Sequence, residues 1–209
     1  MKRRKLLGYG MILSIVKGAG IDTTACAAVE NDQGAYGLRA LGKPGAPVTI
    51  YEYYSMNCPH CAFFGIKVLP EVIQKLIKPG KVYYVFKDFP LNQDAVMAAQ
   101  IARSLPPHEY FPFISELFRT QDQWAFDSAL KTKADYADAL FRYAALAGMD
   151  RASFDAALAN KTLESFILNE LRIGEKKYHI NATPSFIING RMREGAVDFK
   201  QFLSWVKEA

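Results

Sequence analysis

Two cysteines stand two residues apart in Cys58-Pro59-His60-Cys61, and no other cysteine follows Cys26. A pair spaced this way can form a reversible disulfide, supply half of a zinc site, or act as a structural bridge. The bridge is the poorest use. A loop this short removes little entropy from the unfolded chain, so closing it stabilises little. A structural zinc site wants four ligands. The remaining strong donors, His108 and His179, each stand alone and far from the pair in sequence. Each reads as an ordinary surface or packing histidine. Reversible thiol–disulfide exchange is the chemistry that fits, with neither a cofactor nor a metal.

The flanking residues say how such a pair would be tuned. VTIYEYY (48–54) is dense in β-branched and aromatic residues, as a strand covered on both faces requires. After Cys61 a helical pattern runs to about Ile77, with Phe64, Val68, Val72 and Leu76 at i+4 steps. Cys58 therefore sits where a strand ends and a helix begins. Free N–H groups and the positive end of the helix dipole point at its sulfur. The thiolate is favoured there, and the pKa should fall below the usual value of about 8.5. Pro59 suits the first helical position, whose N–H has no partner in any case. His60 can add positive charge or a hydrogen bond, and Cys61 is placed to attack a mixed disulfide on Cys58. Because a stabilised thiolate stabilises the reduced form, the disulfide becomes the better oxidant.

Other elements follow from pattern. Pro70 should kink the first helix. VYYVF (82–86) reads as a second buried strand, and residues 91–178 are helical in period. Breaks fall at Pro106-Pro107, at a polar stretch near Gln121, and at Gly148-Met149-Asp150, a C-cap followed by an N-cap. SFIIN (185–189) is a strand that turns at Asn189-Gly190, and Asp198 caps a closing helix. The expected architecture is α/β: a sheet domain over 48–90 and 179–209, with an all-helical insertion over 91–178. Residues 28–47, rich in Gly and Pro, read as an irregular lead-in.

The net charge of +5 is concentrated at the start, where residues 1–27 carry +4 and leave +1 for the rest. A nearly neutral body without a basic run lacks the footprint of a nucleic-acid binder. Residues 1–27 read instead as a secretory signal. KRRK precedes an apolar run over 6–16, and Ala25-Cys26-Ala27 supplies a cleavage pattern. That run as a helix reaches about 17 Å, short of the roughly 30 Å hydrocarbon core. The competing readings are lipidation at Cys26, where Thr23 stands in place of the Leu that lipoprotein signals usually carry, and an uncleaved membrane anchor. Export places the cysteines in an oxidising compartment.

CPHC after an aromatic-rich strand, GKVYYVFKDFPL, and ATPSFIING late in the chain resemble the DsbA-like group of thioredoxin-fold proteins over roughly residues 45–208. The resemblance implies a thioredoxin-like fold with an inserted all-helical domain. It implies a cis peptide at Pro184, facing the cysteine pair, with Thr183 beside Cys58 as a backbone partner for an extended substrate. It also implies an acid at Glu52, six positions before Cys58; buried, that acid would shuttle a proton for Cys61. Lys87, at the end of the neighbouring strand, is read as its charge partner. If Cys58 approached about 4, the low end for such motifs, the thiolate would gain roughly 6 kcal/mol. Gly65 stands where some relatives carry an acid.

The function expected is an exported, periplasmic thiol:disulfide oxidoreductase. It would donate the Cys58–Cys61 disulfide to unfolded or newly exported cysteine-containing proteins and be recycled by a membrane oxidoreductase. Thr183 keeps a disulfide isomerase or reductase open, because isomerase-type relatives tend to carry Thr at this position. A short lead-in without heptads argues for a monomer. A metal- or peptide-binding chaperone is the reading from another class.

Overall fold

A computed structural model describes residues 34–209; the expected signal over 1–27 lies outside the described residues. Five strands form one mixed sheet in the order β1-β3-β2-β4-β5. These are β1 (Arg39–Leu41), β2 (Val48–Tyr54), β3 (Val82–Asp88), β4 (Ser185–Ile188) and β5 (Arg191–Glu194). β2 and β3 run parallel, and every other pair is antiparallel. The helical stretch 59–77 makes the crossover that a parallel pair needs.

Alternation along the strands sends side chains to two buried faces. Ile50, Tyr54, Tyr84, Phe86, Phe186 and Ile188 join the larger core, while Tyr53, Tyr83, Val85 and Ile187 face the other way. The central strands are mostly aliphatic and aromatic because both faces are covered, with Glu52 and Asp88 as buried charged residues. Phe64 of the first helix packs on Phe186 and Phe202, with ring centroids 4.8 and 5.2 Å apart. That contact holds this helix and the closing helix on one face of the sheet.

The first helix departs from the expected simple kink at Pro70. Its α-helical turns, α1 (Pro59–Phe63) and α2 (Leu69–Val72), alternate with π-helical turns at Phe64–Val68 and Ile73–Ile77. Leu69 N–H reaches back five residues to Phe64 O. Proline cannot donate and crowds the preceding turn, and a widened turn ahead of it gives the ring room.

The lead-in, expected to be irregular, contains a 3₁₀ turn at Gly34–Tyr36 and the edge strand β1, which pairs with β3. Arg39 of that strand is buried and donates to Gly34 O and Arg103 O. Arg103 in turn forms a buried ion pair with Asp88. These bonds explain why so short a segment is ordered.

Six helices lie between β3 and β4: α3 (Gln93–Ser104), α4 (Pro107–Arg119), α5 (Gln121–Trp124), α6 (Lys133–Leu146), α7 (Arg151–Ala159) and α8 (Lys161–Tyr178). The polar stretch near Gln121, expected as a break, is itself the short helix α5. Gly148 has φ +85°, and Asp150 accepts from Ser153 N–H at 2.7 Å, so one helix stops and the next is capped within three residues. Asn189 and Gly190, both at positive φ, turn β4 into β5. Asp198 caps α9 (Phe199–Lys207). Among the described residues no helix is long and apolar enough to cross a membrane.

Candidate active site

Cys58 is the N-cap of α1, with extended backbone, and its Sγ accepts the Cys61 N–H at 3.4 Å. Pro59 occupies the first helical turn, where the absent N–H costs nothing. Cys58 is 4% exposed, and Cys61, one turn inward, is fully buried. Both cysteines are free thiols. The Thr183–Pro184 peptide is cis, and the Thr183 carbonyl oxygen lies 3.3 Å from Cys58 Sγ, which donates to it only while that sulfur carries its proton.

The two sulfurs are strongly differentiated. Cys58 is brought from 9.0 down to about 5. The largest cause is the hydrogen bond from the Cys61 thiol. Burial opposes it, and the Thr183 side chain and the backbone N–H groups of Cys61 and His60 reinforce it. Cys61 is pushed well above the usual thiol range, first by burial, then by its hydrogen bond to Cys58 and by the charges of Cys58 and Glu52. The site thus holds one anionic sulfur beside one protonated sulfur at neutral pH.

His60 acts here through its backbone. Its ring is exposed to solvent, and only its N–H counts among the groups that lower Cys58.

Glu52 is 3% exposed and raised to about 8 by burial; the hydrogen bond from Tyr84 opposes that rise and the Cys58 charge adds to it. Tyr84 Oη donates to Glu52 Oε2 at 2.8 Å. Lys87 is not the partner of Glu52, which corrects the expectation from sequence. The register sets Glu52 opposite Phe86, so Lys87 points to the other sheet face. There it pairs with Glu170 of α8 at 2.6 Å. Gly65 is a point of close approach, since a Cβ there would lie 2.9 Å from the Phe118 ring.

Gln121 was not foreseen. Its Nε2 donates to Met56 O at 2.7 Å and to Cys58 O at 3.0 Å, tying the loop before the first helix to α5. Nothing in a lone glutamine amid polar residues signals this; only the fold brings it within reach. Tyr84 carried a weak signal, being a polar-tipped aromatic in a strand adjacent to Glu52. His108 and His179 are exposed and remote from the pair in sequence, and among the described residues no three His, Cys, Asp or Glu cluster to hold a metal.

This combination of fold and site has known relatives. The profile of the family described as Thioredoxin matches residues 36–208. A probable disulfide bond formation protein D of Bacillus cereus is 24% identical over 207 residues, covering 92% of each chain. A protein of Rickettsia prowazekii named as a protein-disulfide oxidoreductase is 26% identical over 155 residues, 74% of this chain and 55% of that one. The chain spans about half the length of the Rickettsia relatives it matches. Among solved structures, Wolbachia pipientis alpha-DsbA1 superposes with a TM-score of 0.72 at 28% identity, over 82% of this chain and 89% of that one. A protein-disulfide isomerase from Novosphingobium aromaticivorans gives 0.70 at 27%, over 81% and 97%. The chain belongs to the thioredoxin family, in its DsbA-like group.

Proposed function

We propose that the protein is an exported thiol:disulfide oxidoreductase that donates a Cys58–Cys61 disulfide to newly exported cysteine-containing proteins. The supporting observation is the contrast between an acidic Cys58 and a protonated Cys61. In the oxidised protein a substrate thiolate attacks Cys58 Sγ and forms a mixed disulfide. The Cys58–Cys61 bond breaks, and its electron pair leaves on Cys61, which takes a proton from the Glu52 carboxyl. A second substrate thiolate then attacks the substrate sulfur and displaces Cys58 as a thiolate. The substrate loses two electrons, and the pair gains them. A stabilised Cys58 anion is a good leaving group, so release is fast and oxidation of the substrate is favoured.

Thr183 and Pro184 would align an extended substrate strand beside Cys58. A membrane oxidoreductase would reoxidise the pair in the periplasm, and the protein would act as a monomer. Disulfide isomerisation or reduction is the second reading. Thr183 and the structural neighbour named as a protein-disulfide isomerase favour it.

Replacing Cys61 with Ser tests the shared step. Cys58 then has no internal thiol to release it, so substrates should accumulate as mixed disulfides, visible on non-reducing gels of the exporting cell. Absence of any such adduct with folded variant present rejects turnover through this pair.

A further inference from the structure

Asn57 directly precedes Cys58, in a turn closed by the Cys58 N–H donating to Ser55 O at 3.1 Å. The Ser55 hydroxyl donates to Asn57 Oδ1 at 2.6 Å and accepts the Leu91 N–H at 3.2 Å. The amide is thereby held through its oxygen, and its NH2 group keeps its donors for another partner. Among the described residues that nitrogen donates to no protein atom. It is not a sealed atom either, so the 8% of Asn57 that stays exposed includes it.

We infer that Asn57 is a substrate-binding residue whose side-chain NH2 donates to a backbone carbonyl of the polypeptide whose thiolate attacks Cys58. The inference rests on the oxidoreductase reading and names what is read of the substrate: its main chain. The turn does not use the tolerance of asparagine for left-handed backbone, since among the described non-glycine residues only His179 and Asn189 have positive φ. Nor does the bond from Ser55 require an amide, because an aspartate oxygen would accept it equally. What asparagine adds is donors, oriented and still reachable, in the residue next to the attacked sulfur. A chain laid over Cys58 would cover the little of Asn57 that solvent reaches, and a covered donor without an acceptor costs free energy. A peptide carbonyl is an acceptor that every residue of an extended chain carries, so this contact holds substrates of any sequence. Leu91, tied to the same hydroxyl, is 51% exposed, so this side of the loop is open to an incoming chain.

The test follows loss of the Cys58–Cys61 disulfide in the full oxidised chain. One reductant is an unfolded peptide with two cysteines; the other is butane-1,4-dithiol, which carries no carbonyl. The readout is the peptide rate constant divided by the dithiol rate constant, so a change in the reactivity of Cys58 itself cancels. Asn57→Leu keeps the volume and removes the donors. It should lower the ratio about three- to tenfold, the range of one neutral hydrogen bond. Asn57→Asp keeps the outline and the acceptor for Ser55, and should lower the ratio at least as far. Ser55→Ala leaves the donors in place and frees the amide to turn, so its ratio should fall between those of the parent and Asn57→Leu. Rate constants that fall together and leave the ratio unchanged would make Asn57 a strut for Cys58 and overturn the proposal. A parent disulfide that oxidises neither reductant defeats the oxidoreductase reading and this proposal with it; one that oxidises both, with the ratio unmoved in the variants, defeats this proposal alone.

Discussion

The Gln121 side-chain amide donates to the carbonyl oxygen of Cys58 across 3.0 Å, although 63 residues separate them in the chain. The same nitrogen holds Met56 O, so a helix of the inserted block braces the loop that sets the position of the Cys58 sulfur. Replacing Gln121 with Leu keeps much of the volume, takes the donor from the Met56 carbonyl and leaves the Cys58 carbonyl with the Ala62 N–H alone. The expected cost is about 1–3 kcal/mol, read by denaturant unfolding of the dithiol form. Loss of positive dipoles near the sulfur should also move its titration upward. An unchanged Cys58 titration would reduce Gln121 to a purely structural strut.

Glu52 gives a pH signature. Its carboxyl is raised from 4.5 to about 8 by burial, so the folded state prefers it protonated. The stability this confers is complete below about 4.5 and is lost as pH rises through about 8. Glu52→Gln removes the titration. Its stability relative to the parent should therefore increase between these limits, by a few kcal/mol in all. Tyr84→Phe should push Glu52 higher still, because it deletes the hydrogen bond that favours the carboxylate. Parallel pH–stability curves for parent and Glu52→Gln would contradict this.

Lys87 should matter for stability and not for redox chemistry. Lys87→Met leaves Glu170 partly buried without its cation, at an expected cost of about 1–3 kcal/mol. Since Lys87 lies on the sheet face away from Glu52, the titration of Cys58 should be unmoved. A shift there would mean that charge on this strand reaches the pair after all.

Much of this arrangement was legible from local pattern. The placement of Cys58 at a strand-to-helix junction followed from an aromatic-rich strand and Pro59. Gly148, Asp150, Asn189-Gly190 and Asp198 announced their turns and caps because each acts on residues within four positions of itself. The strand at Arg39–Leu41 escaped notice, since three residues carry no period and their order comes from distant bonds to Arg103 and β3. The direction of Lys87 depends on pairing register, which a single strand does not reveal. Gln121 depends on how α5 docks, a relationship between segments that no local motif encodes.

Between about pH 5 and 9 the Cys58 thiolate should stabilise the dithiol form increasingly as pH rises. That increment should vanish as the sulfur is protonated below about 5. Reduction should accordingly stabilise the protein at neutral pH and do so less in acid. Thermal unfolding of both redox forms across this range would show it, and a constant gap would argue against a perturbed thiol.

The most direct measurement is the titration of Cys58 itself, followed by thiolate absorbance in the dithiol protein with Cys58→Ser as the blank. A midpoint near 5 is the expected result. A midpoint near about 8.5, that of an ordinary cysteine, would contradict the claim that this sulfur is held as an anion and with it the assignment as a disulfide donor.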